Sequence, residues 1–489
     1  MRVAHITPHL GGGVGRVLLS WLAHPLSRQG AEHHLYCLED ANAEAAERAH
    51  SCGIPVHDEM LVRTAELRTA CAGADVVLVH WWNHPGLYDV LVNGELPECR
   101  MAIWSHVSGY APPQVFTREI VEYPDRFVLA TPYSLDAPVI RAMAPEGRKA
   151  RVRVVFTCAG TSAGARVQPR QHDGIVVGYV GTVDYCKLHP SFLRMSAAVD
   201  IPNVRFVVVG GEQHTLLRSE ADAAGVSTRF EFTGRVAEVT PHLATFDIFG
   251  YPLRSDHYGT GEQALIEAMA AGLPVVVFDN GCERSLVHDG ETGLVVSSES
   301  EYSRAIERLC RDAALRRRLG TRAREVALQR FSLDAMVQQW QAVLCEVAAL
   351  PRTHHRWSGR APVRGADLFL TSMGGSAPQF AVVEPLDAGQ AQAVERDIAA
   401  SDGAFRASTR GSPFHYRELY PDDPWLNYWC GVLELAMSEP MRAHASLSRA
   451  AAGGHARSAV LAQGLAGPAL RSPDASFLSA KAQPSCASC

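Results

Sequence analysis

The stretch Y-G-T-G-E-Q-A-L-I-E-A-M-A-A-G-L-P-V-V-V, residues 258–277, carries the strongest structural signal in the chain. A glycine-rich turn opens a helical pattern that holds two carboxylates, Glu262 and Glu267. Gly272 is suited to end this helix, and the apolar run from Val275 is typical of a strand that is covered on both faces. A turn, a helix and a buried strand in this order predict one unit of a parallel α/β sheet.

Further units of the same kind lie on both sides of this stretch. The candidate strands of the first 160 residues are Arg2–Thr7, His34–Leu38, Val76–His80, Met101–His106, Phe127–Ala130 and the run Arg151–Phe156. Those of a second series are Ile175–Val180, Phe206–Val209, Phe230–Thr233, Ile248–Tyr251, Val275–Phe278 and Leu294–Val296. Because helical patterns separate the strands, the fold class is α/β with two Rossmann-like parallel sheets.

Changes in composition suggest where the domains end. Residues 157–174 are small and polar, which predicts a linker, and the region from Ser300 to Leu350 is helical in pattern. We therefore expect an N-terminal domain at 1–160, a second domain at 170–350, a helical appendage at 351–470 and a disordered tail at 471–489.

The best-defined part of the predicted appendage is a helical hairpin. Asp423 can cap a helix that has Pro424 in its first turn, and a second helix runs from about Glu439 to Ala452. The pair resembles one tetratricopeptide unit, which cannot bury its apolar face alone. Residues 423–454 are therefore expected to bind a protein partner or a second copy of the chain.

Composition excludes several classes of protein. The 489 residues include 46 Lys plus Arg and 52 Asp plus Glu, a net charge of −6 that argues against nucleic-acid binding. No apolar run has the 18 residues of a membrane span, and the apolar N-terminal stretch is too short for a signal peptide. The 12 cysteines occur singly in most places, which predicts thiols in a reducing cytoplasm. No group with metal-ligand spacing is visible, so no metal is expected.

A second glycine-rich turn follows the first strand, in T-P-H-L-G-G-G-V-G-R, residues 7–16. Gly12 and Gly13 allow the backbone to approach a ligand, and the helix that follows offers N–H groups to a diphosphate. The dinucleotide fingerprint is not met, because Arg16 stands where its third glycine belongs. Glu39 could still serve a ribose, so a dinucleotide site and a simple tight turn both remain open.

The segment from Leu265 to Val275, with the turn before it, resembles the signature of glycosyltransferase family four. Other resemblances follow in the family's order over about residues 1–350, namely I-W-S-H-V (103–107), G-Y-V-G-T-V-D-Y-C-K-L-H-P (178–190), V-V-V-G-G-E (207–212), F-E-F-T-G-R-V (230–236) and D-N-G-C-E-R-S-L-V-H-D-G-E-T-G-L-V-V (279–296). The resemblance implies the GT-B architecture, with two facing Rossmann-like domains. A nucleotide sugar would bind mainly to the second domain and an acceptor to the first.

The resemblance also assigns roles to individual residues. The expected nucleotide-sugar site is Gly12, Gly13, Thr182, Lys187, Val236, Thr260, Gly261, Glu262 and Glu267, and the expected catalytic residues are His106, Lys187 and Glu262. Glu267 would accept hydrogen bonds from the ribose hydroxyls, and Lys187 would stabilise the leaving phosphate. The helix opening at Thr260–Gly261 would add N–H donors. His106 would contact either the transferred sugar or its leaving phosphate.

Two positions depart from the family's pattern. The first carboxylate of its motif falls at Gly259, and Glu262 stands three residues later as the possible replacement. The arginine that binds phosphate in the family falls near Thr182, so that only Lys187 remains of an Arg–Lys pair. These departures favour either a rearranged donor site or a site without catalysis.

The function implied is a metal-independent, retaining hexosyltransferase in the cytoplasm. It would use a nucleoside-diphosphate sugar, a UDP-sugar for preference, as a substrate, with no cofactor. The acceptor would be a glycan, a lipid-linked molecule or a small molecule, and peripheral membrane association would be compatible with this. The alternatives are a non-catalytic GT-B scaffold acting as a binding or accessory subunit, and a nucleotide-sugar epimerase, for which no specific residue is found.

Overall fold

The computed structural model describes residues 1–158, 173–211, 214–357, 364–381, 387–406 and 410–465. These residues divide into two compact units. The first contains residues 1–82 and the described residues from 89 to 357, and the second contains residues 83–88 and those from 364 to 465. The middle of the predicted linker, 159–172, and the predicted tail, 471–489, lie outside the described residues.

The first sheet occupies the N-terminal part of the first unit. Its strands are β1 (Arg2–Thr7), β2 (Glu32–Cys37), β3 (Val56–His57), β4 (Val76–Trp81), β5 (Met101–Ser105), β6 (Arg126–Leu129) and β7 (Val152–Val154). The helices are α1 (Gly12–Ala23), α2 (Ala43–Ser51), α3 (Thr64–Gly73), α4 (Pro85–Asn93), α5 (Arg118–Glu122), α6 (Pro138–Arg141) and α7 (Pro145–Arg151). The described strands pair in parallel in the order β3-β2-β1-β4-β5-β6-β7. The order reverses beside β1, where sheets of this class bind ligands at the carboxyl ends of the strands.

The second sheet has the same architecture. Its strands are β8 (Ile175–Val180), β9 (Val204–Val209), β10 (Phe230–Gly234), β11 (Ile248–Tyr251), β12 (Val275–Phe278) and β13 (Gly293–Val296), in the parallel order β10-β9-β8-β11-β12-β13. The helices are α8 (Phe192–Ala197), α9 (His214–Ala223), α10 (Thr240–Leu243), α11 (Gln263–Ala271), α12 (Gly281–Leu286), α13 (Glu299–Arg311) and α14 (Ala313–Arg330). The prediction of two Rossmann-like parallel sheets is confirmed.

One further helix of the first unit, α15 (Leu333–Ala348), follows the second sheet in sequence but packs on the first. The Trp340 ring lies 4.8 Å from that of Trp21 and 4.9 Å from that of Trp104, centroid to centroid. The Glu346 carboxylate accepts hydrogen bonds from Arg126 and Arg153 of β6 and β7. The chain thus returns to its first core within the range 170–350 that was assigned to the second domain.

The second unit is helical, with α16 (Gly365–Met373), α17 (Ala388–Ala399), α18 (Pro413–Leu419), α19 (Pro424–Ala436), α20 (Pro440–Ala452) and α21 (Ala456–Leu465). Asp423 caps α19 as expected, since its carboxylate accepts from the backbone N–H groups of Trp425 and Leu426. The apolar face of the hairpin is covered within the unit itself, where the Trp429 ring packs against Phe369 and Phe380. The hairpin therefore does not need an external partner to bury this face.

The second unit also incorporates a segment from early in the chain. The Asn83 side chain is fully buried, donates to Ser372 Oγ over 3.1 Å and accepts from the Tyr416 hydroxyl over 2.8 Å. Residues 83–88 therefore belong to the helical unit although they stand between β4 and the rest of α4 in sequence. In the part of the chain that the structure describes, no helix combines the length and the apolar character needed to cross a membrane.

Candidate functional site

Loops at the carboxyl ends of the two sheets of the first unit touch each other. The backbone N–H of Ser108, after β5, donates to the carbonyl of Tyr258 over 2.9 Å. The hydroxyl of Thr260 lies 2.9 Å from that of Thr131, after β6. A β-carbon on Gly261 would lie 2.6 Å from Cγ2 of Thr157, so this contact requires glycine. The glycine-rich turn before α11 is therefore fitted against the first sheet.

The side chain of Glu262 lies at the centre of this contact region and is almost fully buried. Its Oε2 accepts a hydrogen bond from the Tyr251 hydroxyl and lies 2.9 Å from Nζ of Lys187. Helix α11 begins at Gln263, with Glu262 as its N-cap residue. The expected helix opening at Thr260–Gly261 is thus wrong by two residues, because those two residues form the loop that fits against the first sheet.

The carboxylate of Glu262 points back along the chain toward Gly259. A β-carbon built on Gly259 would lie 1.8 Å from Oε1 of Glu262. This space is where a side chain at position 259 would begin. A side chain at position 259 and the Glu262 carboxylate in its present position therefore exclude each other.

Lys187 and Glu262 determine each other's charge. Burial by itself lowers the pKa of Lys187, but the Glu262 carboxylate outweighs it and raises that pKa above its ordinary value. Burial raises the pKa of Glu262, but the positive charge of Lys187 outweighs it and holds that pKa below the ordinary value. Both groups are therefore charged at neutral pH and form an ion pair.

Three residues to which the sequence analysis gave no role, His257, Asn280 and Glu283, lie around this pair. The His257 ring accepts from the backbone N–H of Gly259 at Nδ1 over 3.0 Å, so its proton is on Nε2 and is donated to Glu283 over 3.1 Å. Asn280 also donates to Glu283, over 3.3 Å. His257 Nδ1 lies 3.9 Å from Oε1 of Glu262. Their signal in the sequence is position, since His257 precedes the glycine-rich turn, and Asn280 and Glu283 follow β12.

Glu267, the expected ribose ligand, is buried on α11 and faces the first sheet. Its Oε1 lies 3.7 Å from Nη1 of Arg16 on α1, whose side chain is 43% exposed. Sequence reasoning treated Arg16 only as a departure from a fingerprint. The signal that it carried was a cation inside a glycine-rich turn, where a diphosphate was already expected.

The first turns of α1 and α11 meet near this pair. Gly12 has φ +66°, and a β-carbon on Gly13 would lie 3.1 Å from Oε1 of Gln263. Both helices direct the positive ends of their dipoles into the region. The remaining expected ligands, Thr182 after β8 and Val236 after β10, are half-buried at the carboxyl edge of the second sheet.

His106 is half-buried immediately after β5. Its backbone N–H donates to the Trp81 carbonyl over 2.8 Å, and its ring Nε2 lies 3.1 Å from Nδ1 of His80. Burial, with a smaller contribution from His80, holds the pKa of His106 well below its ordinary range. The ring is therefore neutral at physiological pH. The loop that carries it also carries Ser108, which bonds to Tyr258.

Residues 164–326 match the family model described as "Glycosyl transferases group 1". This part of the chain is therefore similar to the group 1 glycosyltransferases. The match includes Lys187, Glu262 and Glu267, whereas Arg16 and His106 lie outside it.

Among curated proteins, the chain is 30% identical over 206 residues to the lipopolysaccharide core biosynthesis glycosyltransferase LpsE of Rhizobium meliloti, covering 40% of this chain and 59% of that protein. It is 32% identical over 173 residues to the D-inositol 3-phosphate glycosyltransferase of Mycobacterium leprae, covering 33% of this chain and 39% of that one. The matches thus span between about two fifths and three fifths of these relatives' own length.

Solved structures share the fold over 71% of this chain. Anabaena Alr3699/HepE in complex with UDP-glucose superposes with a TM-score of 0.59 at 17% identity, over 100% of its length. Sucrose-phosphate synthase from Thermosynechococcus elongatus superposes with a TM-score of 0.56 at 18% identity, over 99% of its length. The GT-B architecture of the two sheet domains is confirmed.

Proposed function

We propose that the chain transfers a hexose from a UDP-sugar to an acceptor, with retention of the anomeric configuration. The family match covers the part of the chain that holds Lys187, Glu262 and Glu267. A protein of the same fold was solved with UDP-glucose. The acceptor is a glycan, a lipid-linked molecule or a small molecule in the cytoplasm.

The observation that carries this proposal is the shared space of Glu262 and the missing side chain of position 259. A buried charge costs free energy unless it is paired, and Glu262 is paired with Lys187. The pair brings together a carboxylate, which suits sugar hydroxyls, and an ammonium group, which suits a leaving phosphate. Glu262 can accept hydrogen bonds from hydroxyls of the transferred sugar at Oε1, while Tyr251 and Lys187 hold Oε2 in position.

Lys187 has a second role once a donor is bound. As the bond between the sugar and the β-phosphate breaks, negative charge grows on the leaving diphosphate. The ammonium group of Lys187 is held by Glu262 beside the first turn of α11, so it can stabilise that charge together with the helix N–H groups. Because the cation is positioned before the reaction, its reorganisation costs little during the step.

Arg16 supplies the second positive charge of the donor site. The family's arginine near Thr182 is absent from this chain, and Arg16 brings a guanidinium to Glu267 from the opposite domain. A guanidinium can bind two phosphate oxygens at once. Two cations and two helix N-termini can stabilise the diphosphate charge, so we propose that transfer does not require a divalent metal and continues in EDTA.

The decisive experiment is Glu262→Ala, measured in two assays on the same preparation. We expect turnover with the cognate UDP-hexose to fall by about 100-fold, because hydrogen bonds to the sugar in the transition state are lost. Calorimetric affinity for UDP should be unchanged or higher, because Lys187 is released from its partner. Tyr251→Phe is the matched control, since it removes one hydroxyl beside the carboxylate but keeps the carboxylate itself.

The competing function is a non-catalytic scaffold that binds nucleotide sugars. It is favoured by the mutual neutralisation of Lys187 and Glu262, which weakens the attraction of this lysine for a diphosphate. A protein that binds UDP-hexoses but transfers and hydrolyses none of them across a panel of acceptors would establish this function in place of transfer.

A further inference from the structure

Four histidines form a continuous hydrogen-bonded row across neighbouring strands of the first sheet. His33 of β2 lies 2.8 Å from His5 of β1, His5 lies 3.0 Å from His80 of β4, and His80 lies 3.1 Å from His106 after β5, all measured between ring nitrogens. The row ends at the backbone carbonyl of Ser27, 2.9 Å from Nε2 of His33. We call these four residues the histidine row.

The carbonyl at the end of the row determines where every proton in it lies. A carbonyl can only accept, so Nε2 of His33 carries a proton, and in a neutral ring Nδ1 is then an acceptor. This Nδ1 must receive the proton of His5 Nε2, whose own Nδ1 receives that of His80 Nε2. His80 Nδ1 in turn receives that of His106 Nε2. His106 is therefore left with a lone pair on Nδ1, and among the described residues this atom has no hydrogen-bond partner.

The surroundings keep the three inner rings neutral, as this reasoning requires. His5 and His80 are fully buried, and His33 is 7% exposed. Burial lowers the pKa of His80 to about 3 and lowers those of His5 and His33 as well. The ring of Trp21 lies 5.4 Å from that of His5 and the ring of Trp104 lies 5.8 Å from that of His80, so aromatic side chains line the row.

We propose that His33, His5 and His80 are positioning residues that fix the tautomer of His106, so that His106 presents a hydrogen-bond acceptor to the donor. This inference rests on the proposed function. It also distinguishes between the two roles that the sequence left open for His106. A neutral imidazole that presents a lone pair accepts from a sugar hydroxyl, whereas a phosphate oxygen, itself an acceptor, would be repelled.

Two other roles for the row do not fit its geometry. A proton relay needs a group at its far end that can take up a proton, but the row ends at a backbone carbonyl. A metal site needs several nitrogen atoms that converge on one point. In this row each inner ring directs its two nitrogen atoms to two different neighbours, so no three nitrogen atoms converge.

The first test reads the tautomer directly and does not depend on turnover. The protein is labelled with ¹⁵N-histidine, and the ring nitrogen shifts of His106 are assigned by comparison with His106→Gln. We expect a neutral ring with its proton on Nε2 from pH 8 to pH 5.5. A proton on Nδ1 of His106 in the wild-type protein overturns the proposal.

The second test uses variants of His80, because His80 Nδ1 is the atom that receives the proton of His106 Nε2. In His80→Leu that acceptor is lost, while burial, the larger cause of the lowered pKa, keeps the His106 ring neutral. The ring can then carry its proton on either nitrogen, so we expect the ring nitrogen shifts to show both tautomers and kcat/KM for the donor to fall by about tenfold at every pH from 8 to 5.5. His80→Gln should keep the tautomer and the rate of the wild type, because its amide both donates and accepts.

His34→Gln is the matched control for a histidine outside the row. His34 is the neighbour of His33 on β2 but bonds to Glu32 over 2.8 Å. An unchanged tautomer and rate in folded His80→Leu, or the same loss in His34→Gln, contradicts the positioning role. If no UDP-hexose is transferred by any variant, the proposed function fails by itself, while the nitrogen shifts still decide the tautomer.

Discussion

Gly259 and Glu262 occupy one space, since a β-carbon on the former would lie 1.8 Å from Oε1 of the latter. Carboxylates at both positions could not be accommodated together. The carboxylate beside Lys187 therefore comes from the N-cap of α11 rather than from the loop before it.

This relationship predicts that the two positions can be exchanged. The double variant Gly259→Glu/Glu262→Ala should recover part of the transfer that Glu262→Ala loses, because it supplies a carboxylate from a position whose β-carbon lies in the space that Glu262 vacates. Gly259→Ala alone should displace the Glu262 carboxylate and reduce turnover. The measurement is the initial rate with a UDP-hexose, and a double variant as inactive as Glu262→Ala would show that position 259 cannot supply the group.

Arg16→Ala should weaken UDP binding by about tenfold or more, because one charge-assisted contact to the diphosphate is worth roughly 1.5–3 kcal/mol. Affinity for uridine, which has no phosphate, should change little. Arg63→Ala is a suitable control, since its side chain is 44% exposed and pairs with Glu66 on the same domain. Equal loss of UDP and uridine affinity in Arg16→Ala would point to a disturbed fold rather than to phosphate binding.

Glu267→Gln should also weaken UDP binding by about tenfold, for a different reason: it removes half of the carboxylate that would accept from the ribose. Pyrophosphate, which has no ribose, should bind equally well or more tightly, since the variant no longer pairs with Arg16. Calorimetry with both ligands separates the two contributions. Unchanged UDP affinity would remove Glu267 from the ribose site.

The stability of the first unit should fall in mild acid because of the histidine row. The folded pKa of His80, about 3, lies below the unfolded value of about 6.5, so between these values the unfolded chain binds more protons. The contribution of His80 is complete above pH 6.5 and is lost as the pH falls toward 3. At pH 5.5 the loss amounts to about 1.4 kcal/mol. Urea unfolding at pH 7.5 and 5.5 measures it, and folded His80→Leu should show a smaller difference between the two pH values.

Asn83→Ala should destabilise the helical unit by about 1–3 kcal/mol, since it leaves the buried hydroxyls of Ser372 and Tyr416 without this partner. A double-mutant cycle with Tyr416→Phe checks the cause. If the hydrogen bond contributes to stability, the free energy of unfolding that the double variant loses should be smaller than the sum of the two single losses. Strictly additive losses would indicate that the bond contributes nothing to stability.

The parts of the fold that were predictable are those set by short apolar runs. Strands β1, β8, β11 and β12 match their predicted bounds to the residue. Strand β12 is the clearest case, because its continuous apolar run begins directly after Gly272-Leu273-Pro274. Strand β3 was missed because its two residues, Val56–His57, form no such run. The return of α15 to the first core was also not foreseen, since an amphipathic helix does not specify which core it joins.

In the candidate site, too, residues within a local motif were predictable, whereas contacts between residues distant in sequence were not. Glu262, Glu267 and Lys187 could be proposed from local motifs, but their partners could not. Arg16 meets Glu267 only because two sheets in different parts of the chain meet at their carboxyl ends. The histidine row was invisible for a related reason: its members lie on separate strands, and only the strand order β2-β1-β4-β5 aligns them.

The inclusion of residues 83–88 in the helical unit bears on how this protein could have arisen and how it is synthesised. A module joined to an ancestral enzyme end to end would be built from its own contiguous residues, whereas this one includes a piece of the host sequence. During synthesis on a ribosome, residues 83–88 emerge about 280 residues before α16, the first of the helices that bury them. The hydrogen bonds of Asn83 to Ser372 and Tyr416 can form only after those helices have been made. The helical unit therefore cannot complete its folding as an independent terminal module. A gene fusion that divides the chain near residue 357 would separate residues 83–88 from the helices with which they fold.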